Sequence, residues 1–477
     1  MKRCIEGISR DQGTLFPDHL EDWIDDENVV RVIDAFVDEL DLGDLGFKPA
    51  EATGRPGYHP SVLLKLYIYG YLNRVQSSRR LEREALRNVE VMWLLGRLVP
   101  DHKTIAEFRK DNGAAIRKVC AQFVELCRQI GLLAVASVAI DGSKLKAVNN
   151  RDRNFTRAKM QRRRDQIAKS VTRYLEQLDS TDRQDPSPAK DARKTRLSEK
   201  ITKLREEMQR LKVLEKQMEA SPDQQVSLTD PDSRSMATSG RGSGVVGYNA
   251  QVAVDIEHHL IVAHEVTNKG NDSTQLADMA KLTKQVLGAD NLDVVADRGY
   301  FSSAEILACD QTGITVTLPK PMTCNAKASG RFGKQDFRYI TDEDVYICPA
   351  GNRLTYRFSR VEAGRTIRRY STNLCSGCSL KDRCTTGKER RIGRWEYEDV
   401  LETVQRRLDE NPQAMRQRRE TVEHPFGTIK MRMGATHFLM KRLKNVRTEM
   451  ALSVLAYNLT RVINILGVAP LIEAIRA

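Results

Sequence analysis

Short apolar segments rich in β-branched residues recur between residues 135 and 318, and they restrict the fold of this chain more than any other feature. The first is Val135–Ile140, which is followed directly by Asp141 and Gly142. Similar segments lie at 247–255, 260–266, 292–296 and 314–318, with helical patterns at 272–287 and 302–310. Segments of this length and composition are typical of buried strands. Their order, with helices between the later strands, predicts a mixed α/β sheet.

Helical patterns dominate the segments on either side of these strands. Residues 1–134 have helical periodicity throughout and predict an all-helical N-terminal domain. A second domain is predicted over residues 135–466, and it ends in a long helical region from Gln413 to Leu466. Residues 467–477 are the C-terminal tail in this division.

Two inserts interrupt the second domain. Residues 156–225 carry apolar side chains at spacings of four and three residues on both sides of Asp185–Pro188, which predicts a helical hairpin with a coiled-coil-like seam. Both a solvated spacer and an arm that contacts DNA or a second copy of the chain fit this hairpin. Residues 320–390 are rich in Gly, Arg, Thr and Cys and have little periodicity, so a loop-rich insert is expected there.

The distribution of charge points towards a polyanionic partner. The 477 residues carry a formal net charge of +13, and no apolar run approaches the ~20 residues of a membrane-spanning helix. The first residues lack the apolar stretch of a signal peptide, which argues against a secreted protein. Segment 416–447 holds nine Lys or Arg and two acids, so more than half of the net charge gathers there. Both a solvated basic face and a phosphate-contacting surface fit this run.

Aspartates end two of the predicted strands. Asp141 follows Val138–Ile140, and Asp297 follows Val294–Ala296. A carboxylate at the end of a buried strand is held by a rigid element and faces the edge where α/β sheets bind ligands. Turn formation is the ordinary role of such an aspartate. A pair is more informative, because hard divalent cations need two or more carboxylates from different elements.

A third candidate carboxylate lies in the basic segment. Glu423 is surrounded by cations and could hold Mg²⁺ beside a phosphodiester. Glu420 competes with it, since it lies three residues earlier on nearly the same helical face. Two ions about 3.5–4 Å apart activate an attacking hydroxyl and stabilise the departing oxygen in phosphoryl transfer. The acids therefore predict a site for two Mg²⁺ or Mn²⁺ ions.

Several ordered motifs relate these acids to a known family. They are Ala139-Ile140-Asp141-Gly142, Gly247–Asp255, Val295-Ala296-Asp297-Arg298-Gly299-Tyr300 and Glu423-His424-Pro425-Phe426-Gly427-Thr428-Ile429-Lys430. With these motifs, and with the segment from Tyr58 to Lys110, the sequence resembles bacterial insertion-sequence transposases of the DDE class. The resemblance implies an RNase H-like mixed-sheet core in 135–466 and a DNA-binding role for the helical domain 1–134. It also implies that Asp141, Asp297 and Glu423 are the catalytic, metal-binding triad.

One branch of this class has an extended signature, Tyr-x2-Arg-x3-Glu-x6-Lys, around its glutamate. Counting from Glu423 places Arg419 and Lys430 in register, which selects Glu423 over Glu420. Arg416 stands at the tyrosine position, so the chain departs from the branch there. By resemblance, Arg419 and Lys430 contact phosphates near the transposon end, which positions DNA without reading its sequence. The predicted DNA-binding residues are Arg416, Arg419, Lys430, Arg432, Lys441 and Arg442.

Four cysteines cluster in the second insert, namely Cys348, Cys375, Cys378 and Cys384. Spacings of 26, 2 and 5 intervening residues fit a tetrahedral Zn²⁺ site, which would stabilise an insert that lacks a core. A set of reduced structural or redox thiols is the alternative. The remaining cysteines, Cys4, Cys120, Cys127, Cys309 and Cys324, are expected to be ordinary buried or incidental residues.

The main hypothesis is a DNA transposase that binds terminal inverted repeats, cleaves DNA with metal ions and transfers the freed 3′-hydroxyl to target DNA. Because two element ends must be joined, a homodimer or larger assembly on DNA is expected. The resemblance also implies a cytoplasmic, nucleoid-associated protein. The competing hypotheses are a catalytically inactive DNA-binding protein descended from such an enzyme and a metal-dependent nuclease without strand transfer.

Overall fold

The computed structural model describes residues 19–48, 57–149, 153–183, 187–221, 223–237, 244–321 and 329–477. Cys4 and Cys324 lie outside these ranges, as do parts of the predicted N-terminal domain and of both inserts. The described α-helices are α1 (Val29–Asp38), α2 (Pro60–Leu72), α3 (Ser78–Arg87), α4 (Val89–Leu94), α5 (His102–Asp111), α6 (Gly113–Gln129), α7 (Arg157–Asp182), α8 (Pro188–Glu219), α9 (Leu276–Leu287), α10 (Ser303–Asp310), α11 (Glu398–Glu410), α12 (Ala414–Gly427), α13 (Leu443–Leu466) and α14 (Val468–Arg476).

The described strands alternate with these helices only in the middle of the chain. They are β1 (Ser137–Lys146), β2 (Asn154–Thr156), β3 (Gln225–Ser227), β4 (Arg234–Met236), β5 (Val245–Asp255), β6 (Ile261–Thr267), β7 (Leu292–Ala296), β8 (Ile314–Thr317), β9 (Arg338–Ile340), β10 (Val345–Ile347), β11 (Arg353–Glu362), β12 (Arg365–Ser371) and β13 (Ile392–Trp395). The helical N-terminal region and the mixed α/β character agree with the sequence. An RNase H-like topology stays a prediction.

The chain forms two compact units. The first unit comprises Met1–Ala134, Gly142–Asn271 and Glu423–Ala477, and the second comprises Val135–Asp141 and Asp272–Val422. β1 and α12 each contribute residues to both units. This grouping differs from the predicted division, because the N-terminal helices share a unit with the C-terminal helix α13. The predicted domain boundaries therefore stay an expectation.

Helix α13 is the centre of the first unit. It packs against α2, α6 and β6, and it buries side chains around most of its circumference from Val446 to Val462. Buried Asn458 ties the helix to β6, because its side chain accepts a hydrogen bond from the Ile261 amide and donates one to the Ile261 carbonyl, both 2.9 Å long. A helix that is apolar on all sides is a core helix.

The helical region predicted over 413–466 is not one continuous helix in the structure. α12 ends at Gly427, a π-helical turn covers Thr428–Arg432, and α13 begins only at Leu443. Pro425 lies inside α12 and has no N–H to donate to the preceding turn, which weakens the helix near its end. Gly434 then adopts a left-handed backbone with φ of 70°, which reverses the chain.

Strand pairing in the first unit is antiparallel. β5 pairs with β6 on one side, from Asn249 opposite Thr267 to Val254 opposite Ile261, and β4 also pairs with β5. Gly247 of β5 lies against the backbone of Leu145 in β1, where an added Cβ would come within 2.0 Å of the Leu145 carbonyl oxygen. Only glycine permits this approach of the two strands.

Helices α7 and α8 of the first unit pack side by side. Met160, Ile167, Leu211 and Met218 are buried between them. Arg163 pairs with Glu207 and Arg164 pairs with Glu215 across the two helices, at 2.8 and 2.7 Å. The remaining surface is charged, as the sequence pattern of the hairpin indicates.

The second unit carries a parallel sheet that positions the candidate site. β1 pairs with β7 from Ser137 opposite Asp293 to Ile140 opposite Ala296, and β7 pairs with β8 in the same direction. Val138, Ala139 and Ile140 are fully buried, as expected for a covered parallel strand. The strands predicted at 135–140, 292–296 and 314–318 are thus present.

The segment predicted as a loop-rich insert contains an antiparallel sheet, in the order β13-β12-β11-β10-β9. The prediction of a segment with little regular structure was wrong in this respect. Most of β11 is exposed, including Phe358 and Val361, so its sequence does not show the alternation of apolar and polar residues that is typical of a strand. The buried residues of this sheet are few: Phe337, Tyr346, Leu354, Tyr370 and Ile392. Without a continuous buried face, the period of a strand does not show in the sequence.

No single helix in the described residues is long and apolar enough to cross a membrane. Helices α13 and α14 meet the length and composition test only as a pair, with a bend of 110° between them.

Candidate active site

Parallel pairing brings Asp141 and Asp297 to the same edge of the sheet in the second unit. Ile140 lies opposite Ala296, so the two aspartates are the next residues along neighbouring strands. Such strands are about 4.8 Å apart. β1 continues through Lys146, so Asp141 does not end its strand as the sequence predicted; it is the first residue beyond the pairing with β7. The two predicted carboxylates therefore lie side by side.

A cation lies against both carboxylates. One terminal nitrogen of Arg418 is 2.5 Å from Asp141 Oδ1 and 3.9 Å from Asp297 Oδ2. The arginine side chain is only 14% exposed, and its Nε is buried without a hydrogen-bond partner among the described residues. A short pair between ionised groups is among the strong polar contacts of a protein. The two aspartates thus form one negative site that already holds a positive charge.

The sequence analysis did not identify Arg418 as a site residue, although the helical pattern of α12 indicates that it lies on the buried face. Helix α12 buries Ala414, Thr421 and Val422, which lie four residues before and three and four residues after Arg418. Residues at these spacings share one helical face. Arginine is almost never buried without an ionic partner. The phase of α12 therefore indicates that Arg418, rather than Arg416 or Arg419, faces the protein interior and meets an acid there.

Asp297 combines a turn-forming role with its place in the site. Its Oδ1 accepts a 2.7 Å hydrogen bond from the amide of Gly299, which caps the short 3₁₀ helix Arg298–Tyr300. Its Oδ2 is the oxygen nearer Arg418. The two functions that the sequence left open are compatible, because they use different oxygens of one carboxylate.

Tyr300 is a buried residue close to the carboxylates. Its side chain is fully buried, and burial together with the nearby charges of Asp272, Asp141 and Asp297 raises its pKa well above the usual value. The phenol therefore stays neutral. Asp272 was expected only at the start of a helix, but α9 begins at Leu276, and the aspartate is instead a further acid near Tyr300.

Glu423 and Glu420 occupy different environments on α12. Glu420 forms an exposed ion pair with Arg416, 2.9 Å long and one helical turn apart. Glu423 is exposed and belongs to the first unit, whereas Asp141 and Asp297 belong to the second. In the described ranges, no three His, Cys, Asp or Glu side chains form a ready metal-binding group. Convergence of Asp141, Asp297 and Glu423 stays a prediction.

Lys430 reaches β1 from the π-helical turn of the first unit. Its Nζ donates a hydrogen bond to the hydroxyl of Ser143, two residues beyond Asp141 in the same strand. The ammonium group also lies 5.7 Å from the centre of the Phe426 ring. These contacts hold a positive charge in a defined place beside β1.

The other basic residues of segment 416–447 differ in exposure. Arg447 is half-buried and pairs with Glu265 at 2.6 Å, which is a structural role. The exposed cations are Arg416, Arg419, Arg432, Lys441, Arg442 and Lys444. Five of these exposed cations, together with the half-buried Lys430, are the six predicted DNA-binding residues.

Two family models match the sequence. A model described as "Transposase domain (DUF772)" matches residues 18–111, and one described as "Transposase DDE domain" matches residues 347–463. These matches support an insertion-sequence DDE transposase. The second match includes Glu423 and the basic segment 416–447, but it begins after Asp141 and Asp297.

Comparison with solved structures adds little to these two matches. A cryo-EM structure of the piggyBac transposase synaptic complex with hairpin DNA is 8% identical in sequence, with a TM-score of 0.31. The likeness covers 92% of this chain and 75% of that one. A search of curated proteins finds no match. The similarity to transposases therefore rests on the two sequence models.

Proposed function

We propose that this transposase binds the terminal inverted repeats of an insertion sequence, cleaves DNA at the element ends and transfers the 3′-hydroxyl strand to target DNA. The observation that supports this proposal best is the pair Asp141 and Asp297, which neighbouring parallel strands hold around the guanidinium of Arg418. This arrangement is a carboxylate site that binds cations and stands on rigid elements.

The donor set suits Mg²⁺ or Mn²⁺. Both ions prefer carboxylate oxygens, and Asp141 and Asp297 supply them from two separate strands. Arg418 already demonstrates that one positive charge is accommodated between them. Glu423 is the proposed third ligand, by its match to the DDE motif. Two bound ions would activate the attacking hydroxyl and stabilise the leaving oxygen of the phosphodiester.

The side chains of this transposase would balance the charge of the carboxylates before metal binds and would hold the DNA during the reaction. Arg418 balances the paired carboxylates until metal binds and must then move away from Asp141. Neutral Tyr300 underlies the site without adding charge. Arg416, Arg419, Lys430, Arg432, Lys441 and Arg442 would contact phosphates, which accounts for the concentration of charge in segment 416–447.

The wider proposal concerns partners and location. The helical segment 1–134 would help to hold the inverted repeats, and the family match over 18–111 supports its inclusion. A homodimer or larger assembly would form on DNA, since two ends are joined. The protein would act in the bacterial cytoplasm, associated with the nucleoid.

A cleavage assay tests the function and the site together. Labelled DNA that carries the element ends is incubated with Mg²⁺ or Mn²⁺ and wild type, Asp297→Asn or Asp293→Asn. Asp293 is an exposed aspartate of the same strand, so its variant is the matched control. Wild type and Asp293→Asn should cleave and join, and Asp297→Asn should lose about 10³-fold in rate, a loss of several kcal/mol of metal-dependent stabilisation.

The same assay separates the competing functions. Binding without cleavage by wild type would support an inactive DNA-binding protein. Cleavage without joining would support a nuclease that lacks strand transfer. Full activity of Asp297→Asn would show that the carboxylates are assigned to the wrong site.

A further inference from the structure

The four cysteines of segment 348–384 line one small cavity in the second unit, remote in sequence from the aspartates. Cys348, Cys375, Cys378 and Cys384 come from three separate stretches of chain, and each lies in the wall of this cavity, whose volume is ≈ 20 Å³. The thiols are free in the structure and partly buried. Sequence spacing alone did not determine whether these thiols meet. The fold brings them to the same place.

Backbone turns present each cysteine to the cavity. Cys348 follows β10, and its carbonyl accepts a 2.8 Å hydrogen bond from Gly351, whose φ of 79° closes the turn. Cys375 and Cys378 lie in and just after the 3₁₀ helix that follows β12. Cys384 closes a further turn, where its amide donates to Lys381 at 2.9 Å. Three turns at the ends of the sheet β9–β13 therefore converge.

An arginine beside the thiols has an unsatisfied donor. Arg390 lines the cavity and donates from its terminal nitrogens to the carbonyls of Cys384 and Phe332, at 3.3 and 3.2 Å. Its Nε is buried and has no hydrogen-bond partner within the described part of the chain. A buried donor left without an acceptor costs about 1–3 kcal/mol. A thiolate in this cavity would supply both an acceptor and a negative charge.

We propose that Cys348, Cys375, Cys378 and Cys384 bind one Zn²⁺ ion that ties the turns of the sheet β9–β13 together. The ion would replace four thiol protons, which leave to solvent, and the four thiolates would enclose it in a tetrahedral site. The cavity has room for about one water molecule, which fits a single ion and not a multi-iron cluster. The thiols would have to reorient on metal binding, because they do not form a ready metal-binding group in the structure.

The surroundings match the charge of such a site. Zn²⁺ with four thiolates carries a net charge of −2, and Lys381 and Arg390 line the same cavity. Phe332, Phe337 and Leu354 form the apolar part of the wall and shield the sulfur atoms from water. Few apolar residues are buried in this sheet, so a metal would supply stability that the core does not.

Metal analysis of the full-length protein tests the proposal. Purified protein, dialysed without chelator, should contain about one zinc per chain, and Cys375→Ser and Cys384→Ser should each retain less than about a tenth of that amount. Cys309→Ser is the matched control, because Cys309 is a buried cysteine of the same unit outside the cavity. It should keep its zinc.

A spectroscopic experiment keeps the proposal testable if a serine variant fails to fold. Metal-free wild type is titrated with Co²⁺, and the strong visible bands of tetrahedral thiolate-bound cobalt should appear and saturate at one equivalent. Zinc below about half an equivalent in wild type, iron with cluster absorbance, or a mass that reveals disulfides would each overturn the proposal. Full zinc content in both serine variants would overturn it as well. None of these outcomes depends on DNA cleavage, so the zinc site and the proposed function fail or succeed separately.

Discussion

The two sheets of the second unit bury very different amounts of apolar surface. In the parallel sheet, Val138–Ile140 of β1 and Leu292 of β7 are almost completely buried. In the antiparallel sheet β9–β13, most of β11 is exposed, and Val361 retains 68% of its accessible surface. Each sheet nevertheless has candidate functional groups at its ends. They are carboxylates in the parallel sheet and thiols in the antiparallel sheet. Where apolar burial is scarce, charged networks and the proposed zinc ion would supply the stability.

Removal of the proposed zinc ion should produce the largest difference in stability between the two sheets. A thiol-competing chelator should open β9–β13 to limited proteolysis between residues 329 and 395, while β1, β7 and β8 stay protected. The effect should be large, because structural zinc contributes about 10–16 kcal/mol in small zinc-binding peptides. Mass spectrometry of the fragments measures it. Equal protection of both sheets after zinc removal would contradict the comparison.

Side-chain truncation should affect the two sheets unequally. Leu292→Ala removes a buried side chain from β7 and should cost about 2–5 kcal/mol in the free energy of unfolding. Val361→Ala removes an exposed side chain from β11 and should change it by less than about 0.5 kcal/mol. Urea unfolding followed by circular dichroism measures both. Similar losses in the two variants would mean that β11 is covered in solution.

The antiparallel sheet should depend on a charged network around Asp344. Tyr339 and Tyr370 both donate to Asp344 Oδ1, and Arg368 pairs with Oδ2, each at 2.6 Å. Asp344→Ala leaves these donors without their acceptor and should cost about 1–3 kcal/mol. Urea unfolding at neutral pH measures this loss, with Asp342→Ala, an exposed aspartate of the same turn, as control. A loss no larger than that of the control would exclude the network as a source of stability.

The same network gives a pH dependence with a defined sign. Burial alone would raise the pKa of Asp344, but the hydrogen bonds from Tyr339 and Tyr370 and the charge of Arg368 lower it below its usual value of 3.8. The unfolded chain keeps the usual pKa, so the stabilisation is complete above about pH 4 and is lost as the pH falls through the lower, folded pKa. The difference between wild type and Asp344→Ala should therefore shrink in acid.

Two arginine–aspartate pairs sharpen the comparison, since one involves an aspartate of β1 and the other an aspartate of the turn between β9 and β10. Arg368 holds Asp344 as part of the structure, whereas Arg418 would hold Asp141 only until metal binds. Arg418→Ala should raise the affinity for Mn²⁺ by about tenfold, because the ion no longer competes with a guanidinium. Isothermal titration measures this change, and Arg416→Ala, which removes an exposed arginine of the same helix, should leave the affinity unchanged. An unaltered affinity in Arg418→Ala would refute the competition.

Much of the fold could be predicted because most of its strands and helices show in local sequence patterns. The strands near 135–140, 292–296 and 314–318 are present, since each is an apolar run bounded by turn residues. Parallel pairing of β1 and β7 then places Asp141 beside Asp297, because each is the first residue beyond the paired stretch of the two strands. The sheet β9–β13 could not be predicted, because it lacks a continuous buried face and its few core residues are scattered between Phe337 and Ile392.

The candidate site was only partly predictable for a related reason. A signature around Glu423 drew attention to Arg416 and Arg419, yet both are exposed on α12. Arg418 is the arginine that reaches the carboxylates, because it shares a face with buried Thr421 and Val422. The role of a charged residue on a helix depends on which neighbours its face meets, and those neighbours are distant in sequence.

The sequence by itself indicated the similarity to DDE transposases, the alternation of strands and helices, and the two aspartates that follow apolar runs. Each of these depends on residues close together in the chain or on ordered motifs. The tertiary structure decided which cation meets the aspartates and whether four dispersed cysteines line a common cavity. Those outcomes depend on contacts between residues far apart in sequence, and burial in the folded chain determines their strength.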